Sequence, residues 1–131
     1  AIVDLSPVGE NMPPLLISQM ELLNVPQFKE PRLLPDWGYI FSPYVCFIRP
    51  VDTYEENSFL KLIDQYLSII LLLVVNVRKD ETNSLDTVSR SEYQKRYCLN
   101  QKQNDKTRVI LSKYFGSSWT DEYIEKILFS C

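Results

Sequence analysis

The sequence predicts an α/β chain, mostly helical, with two short strands that need neighbours to make a sheet. Three observations carry this. Apolar residues recur at helical spacing through Phe59, Leu62, Ile63, Tyr66, Leu67 and Ile70, while Ala1 to Leu5 and Tyr44 to Ile48 are brief β-branched or aromatic stretches. The last third has helical composition, punctuated by Gly116. Two strands are too few for a self-sufficient sheet. The abrupt apolar start at Ala1-Ile2-Val3, with no initiator methionine, favours further strands from a preceding N-terminal part.

The elements follow in order. After the first strand, residues 14–23 open on Pro14, which suits the first position of a helix. Residues 25–43 carry Pro26, Pro31, Pro35 and Pro43 and predict a stiff, irregular loop. The strand at 44–48 is bounded by Pro43 and Arg49-Pro50. Asp52 and Thr53, with Glu55 and Glu56 behind them, then start a helix over about residues 54–74. Its second half is apolar all round and predicts a position between other layers. The longest apolar stretch, residues 67–77, is 11 residues long, short of the roughly 20 that a membrane span needs, so buried helix is predicted and no membrane partner. Polar residues 78–92 predict a surface connection. Helical segments follow at 93–103 and 107–115, Gly116 terminates, and the capping-box-like spacing of Ser118 and Asp121 opens a last helix ending near Phe129.

Composition narrows the function. With 131 residues, 45% hydrophobic and 24% charged, the chain is at most one domain and long enough to bury roughly two thirds of its unfolded surface. There is no histidine, which excludes a Ser-His-Asp or Cys-His triad, a zincin helix and a histidine base within this chain. Lys and Arg number 14 against 17 Asp and Glu, a net charge of −3; a general nucleic-acid binder is excluded. Cys46, Cys98 and Cys131 are odd in number, far apart and without a CxxC pair. They suggest neither a disulfide framework nor a thiolate metal site, and they fit a reducing compartment. Nothing at the N-terminus has the form of a signal peptide.

Residues 93–108 hold five of the 14 basic residues, interleaved with aromatics and amides. Such a patch suits the carboxylates of a small ligand or an acidic protein partner. It equally reads as a solvated helix face, with Asp105 capping the next helix and pairing with Arg108. Asp105 is a carboxylate among bases, and burial would turn it into a proton donor of raised pKa. Trp37 and Tyr97 read as core or cavity wall; Arg32, between Pro31 and Leu33, reads as an exposed loop residue.

Several segments together resemble one family. Leu34-Pro35-Asp36-Trp37-Gly38-Tyr39-Ile40-Phe41-Ser42-Pro43-Tyr44, then Phe47-Ile48-Arg49-Pro50, Tyr97-Cys98 and Asn104-Asp105-Lys106-Thr107-Arg108-Val109 are similar to the ferredoxin-dependent bilin reductases. The Asp4-Leu5-Ser6-Pro7 start and the ending from Trp119 to Phe129 fit as well, so the resemblance spans nearly the whole chain. It implies a three-layer α/β/α sandwich with a central antiparallel sheet, of which residues 1–131 are the C-terminal half, with mostly helices and the last strands. It also implies an enzyme with no bound metal or flavin. Single electrons arrive from reduced ferredoxin, and side chains supply protons as biliverdin is reduced by four electrons to phycocyanobilin.

The resemblance further implies that Arg32 and Lys106 pair with the biliverdin propionates. By the same resemblance Asp105 belongs to the proton-transfer network, and Asn104, Gln101, Tyr97 and Trp37 line or support the pocket. The family's principal glutamate, histidine and aspartate lie on strands preceding the start of this chain, and the second basic residue after Arg108 is replaced by Val109. The isolated chain is therefore expected to be inactive, and the full-length protein to be a monomer in the cyanobacterial cytoplasm or plastid stroma. The alternatives are a bilin reductase of the phycoerythrobilin branch, a non-catalytic bilin-binding or interaction module, and a helical interaction domain without bilin.

Overall fold

The computed structural model describes residues 1–130 and divides into two compact units, residues 1–81 and residues 82 onward. In the first unit, strand β1 (Ile2–Val3) pairs antiparallel with β2 (Cys46–Phe47), Ile2 facing Phe47 and Val3 facing Cys46. Both strands are shorter than the sequence predicts. Pro43 and Pro50 have no N–H to donate, which limits β2 at either end. The chain leaves β1 through Asp4, whose carboxylate accepts from Ser6 Oγ, from Ser42 N–H at 3.1 Å and from Ser42 Oγ at 2.5 Å.

The other edge of β2 is taken by the proline-rich loop. Pro31 bridges Ile48, Arg32 N–H donates to Phe47 O at 2.8 Å, and Arg49 N–H donates to Glu30 O at 2.9 Å. The same loop carries a single 3-10 turn at Gly38–Ile40.

Helix α1 (Pro14–Glu21) opens on proline as predicted and buries Leu16 and Met20, four residues apart on one face. It packs on α2 (Thr53–Asn76), where Asp52 caps the first turn by accepting from Glu55 N–H at 2.8 Å. The buried stripe Phe59, Leu62, Tyr66 and Ile69 follows the 3,4 spacing of one face. With Leu5, Leu16, Met20, Cys46 and Ile48 it makes the core. The ring of Phe28 meets Phe59 edge-on at 6.2 Å, and Tyr66 donates its hydroxyl to Tyr44 O at 2.6 Å.

The second half of α2 departs from expectation. Leu71, Val74 and Val75 are 64%, 65% and 77% exposed, so this half is not held between layers; among the described residues only its core stripe has a covering partner. The whole helix reaches a mean hydropathy of 1.9 over 18 residues, long and apolar enough by length and composition to cross a membrane. Counting only residues 67–77 understated it.

In the second unit, α3 (Leu85–Gln101) starts within the predicted connection, because Ser84 caps it by accepting from Thr87 N–H at 3.2 Å. Helix α4 (Asp105–Phe115) is capped by Asn104, whose side chain accepts from Thr107 N–H at 3.3 Å; the cap assigned to Asp105 belongs to its neighbour. Gly116 ends α4 with φ +83°, a conformation that suits glycine. It also stands at the start of α5 (Ser117–Tyr123), so the capping box expected at Ser118 does not form. A π-helical turn, Ile124–Leu128, completes the predicted last helix. The described residues thus give a mostly helical chain with one two-stranded antiparallel sheet.

Candidate functional site

The proline-rich loop and β2, with Met20 of α1 and Tyr66 of α2, line an open cavity of about 650 Å³ in the first unit. Its walls are apolar or aromatic, with Met20, Phe28, Tyr44, Phe47, Ile48 and Tyr66 among them. Arg32 lines it as well and brings a positive charge. The Arg32 backbone is fixed by its bond to Phe47 O, while its side chain is exposed and has no ion-pair partner among the described residues. An apolar cavity with one unpaired guanidinium suits a large apolar ligand that carries a carboxylate.

Two further titratable side chains there are shifted by burial. Tyr66 is pushed up to about 12, first by burial and then by the nearby Cys46 and Asp4, so its hydroxyl remains a donor to Tyr44. Burial also pushes the Cys46 thiol up, away from the thiolate form that reacts. Trp37 is half-buried beside the 3-10 turn, with its ring 6.0 Å from Phe41, and is not among the residues lining the cavity.

In the second unit, five predicted residues lie at the junction of α3 and α4. Gln101 Nε2 donates to Tyr97 OH at 2.9 Å, Asn104 caps α4, and Asp105 and Lys106 are exposed in its first turn. The predicted Asp105–Arg108 pair does not form. Arg108 pairs with Asp121 and lies 4.0 Å from Glu125, because α5 and the turn after it bring two acids to its side. Lys102 pairs with Glu125 at 2.6 Å, and Arg96 lies over the Tyr93 ring at 4.8 Å. Lys106 has no such partner among the described residues. A cation in the first turn of a helix opposes the helix dipole, so helix stability does not explain its position.

Cys46 and Cys98 are buried, Cys131 lies outside the described residues, and no group of three metal-ligating side chains occurs among the described residues. The sequence did not single out Phe28, Tyr44 or Phe47 as cavity wall. The clustering of prolines at 26, 31 and 35 was the available signal, since a stiff segment can form a fixed wall.

The first unit thus combines a short ladder, a long helix and an apolar cavity lined by one cation with no ion-pair partner among the described residues. The model of the family described as ferredoxin-dependent bilin reductase matches residues 1–130, and the chain belongs to that family of enzymes. It is 48% identical over 129 residues to the phycocyanobilin:ferredoxin oxidoreductase of Prochlorococcus marinus (strain MIT 9313), covering 98% of this chain and 49% of that protein. The proteins of the same name from Synechococcus sp. (strain CC9605) and Trichodesmium erythraeum (strain IMS101) are 46% and 36% identical, over 98% of this chain and 53% of each relative. The chain spans about half the length of these curated relatives.

Proposed function

We propose that this chain forms the C-terminal wall of a bilin pocket in an enzyme that reduces biliverdin to phycocyanobilin with electrons from ferredoxin. The observation that carries the reading is the apolar cavity with the unpaired Arg32 at its lining, in a chain whose relatives bear that activity in their names. Biliverdin is a large conjugated tetrapyrrole with two propionates. Apolar walls cover the conjugated face, and Arg32 and Lys106 each take a propionate, the pairing that a desolvated carboxylate needs.

The reduction takes up four electrons and four protons. Ferredoxin supplies the electrons one at a time, and Asp105 belongs to the proton-transfer network, held where Asn104 caps its helix. Asn104, Gln101, Tyr97 and Trp37 support the pocket. The working protein is a monomer of the cyanobacterial cytoplasm or plastid stroma.

The test is a visible-absorption titration of the purified chain with biliverdin, followed by reduced ferredoxin under anaerobic conditions. Biliverdin absorption shifts on binding, and Lys106→Glu weakens binding at low salt by about tenfold, because a like charge meets a propionate. An unchanged affinity sinks the Lys106 assignment. Binding without progress toward phycocyanobilin is the expected result for a chain that has no histidine; full turnover would overturn that part of the reading.

A further inference from the structure

We propose that Glu55 is a positioning residue for Arg32, its buried carboxylate closing the ladder that holds the Arg32 backbone at the cavity. This rests on the bilin reading of that cavity. Glu55 is 4% exposed, and a carboxylate that deep is retained only where hydrogen bonds satisfy it. It accepts from Lys29 N–H at 3.0 Å through one oxygen and from Val51 N–H at 3.0 Å through the other.

The register explains the two partners. Residues 30–32 run antiparallel to 47–49, with Arg32 bonded to Phe47, Pro31 bridging Ile48, and Arg49 bonded to Glu30. Beyond that pair the ladder ends at Pro50, and the Lys29 and Val51 amides, one on each segment, are donors with no backbone acceptor across the ladder among the described residues. Glu55 accepts from both, one carboxylate oxygen to each, and so joins the two segments at this one end of the ladder. A capping box would instead bring a glutamate at this helix position back to the N–H of the capping residue. Asp52 already caps the helix by accepting from Glu55 N–H, which leaves the Glu55 side chain to serve the loop. The exposed Lys29–Asp52 pair at 3.1 Å crosses the same gap, but exposed pairs contribute little. Glu55 is therefore the buried tie that fixes the segment leading to Arg32 against the start of α2.

The experiment compares the affinity of the full chain for biliverdin and for biliverdin dimethyl ester, which lacks the propionate charges. Glu55→Gln places an amide donor against one of the two backbone donors. Its expected effect is to lower the preference for the diacid over the ester by about 3- to 10-fold. In an Arg32→Gln background the same substitution causes no further loss of preference. Equal loss for diacid and ester, or the same loss of preference without Arg32, overturns the proposal and leaves Glu55 a structural residue. If Arg32→Gln alone leaves the preference unchanged, or the chain binds neither ligand, the bilin reading of the cavity fails and the proposal falls with it. Should Glu55→Gln not fold, Glu55→Asp, which withdraws the carboxylate by one methylene, gives the same readout.

Discussion

The two units differ in what stabilises each of them. In the first, Leu62 and Tyr66 are each 1% exposed and the Arg32 segment is bonded along a strand edge. In the second, α4 buries no residue; it meets α5 through the Arg108–Asp121 pair and through a stack in which the Trp119 ring lies 4.7 Å from Phe115 and 4.8 Å from Tyr123. Groups on the first frame are placed by apolar burial and backbone bonds, whereas Asp105 and Lys106 stand on a helix that faces solvent. The sharpest way to break this comparison is to remove bulk from each. Leu62→Ala should cost about 2–5 kcal/mol as a core cavity. Ile110→Ala, at a position 58% exposed, should stay within about 0.5 kcal/mol. Urea unfolding measures both, and comparable losses would refute the contrast.

Alkaline pH probes Tyr66, in the core of the first unit. The Tyr66 pKa is raised in the folded protein to about 12, above the usual value near 10 that applies when unfolded. The unfolded chain therefore loses this proton first. The associated stability is fully present below about pH 10 and is lost as pH rises from there through about 12, on the order of 2–3 kcal/mol. Tyr66→Phe removes the bond to Tyr44 O and should lower stability at neutral pH by about 1–2 kcal/mol. It should also flatten the alkaline decline relative to the unsubstituted chain. Parallel pH profiles for the two proteins, read by urea midpoint, would show that Tyr66 is not the titrating group.

Where burial decides a structure, the sequence was legible. The helical spacing from Phe59 to Ile70 located α2 nearly to its ends, and Pro14 marked the start of α1, because each signal is local and strong. Residues 85–92 were missed since they have little apolar periodicity and Ser84 makes the helix by capping alone. The exchange of roles at Asn104 and Asp105 was hidden for a similar reason: both are good capping residues, and only backbone direction separates them. Arg32 and Lys106 were picked out by family likeness, and the structure adds that neither is paired among the described residues. Glu55 was read as an ordinary first-turn acid. Its bond to Lys29 crosses 26 residues, and no local pattern reports a contact of that span. Likewise, Arg108 found Asp121 rather than Asp105 because tertiary packing of α4 on α5 overrides spacing within one helix.

The smallest effect bears on that last pair. Asp121→Ala removes the Arg108 partner, whose side chain is 58% exposed against 32% for Arg108. An exposed pair contributes about 0.2–1 kcal/mol, and Glu125, 4.0 Å from the Arg108 guanidinium, offers a second carboxylate, so a loss near the lower end is expected. At 1 M salt, where screening sets in within about 3 Å, the difference should fade. The Leu62→Ala loss should persist there, since apolar burial does not depend on charge. Thermal unfolding of the two variants at low and high salt checks this. If Asp121→Ala remains as costly at high salt, the pair is not acting through charge, and its loss is one of packing between α4 and α5.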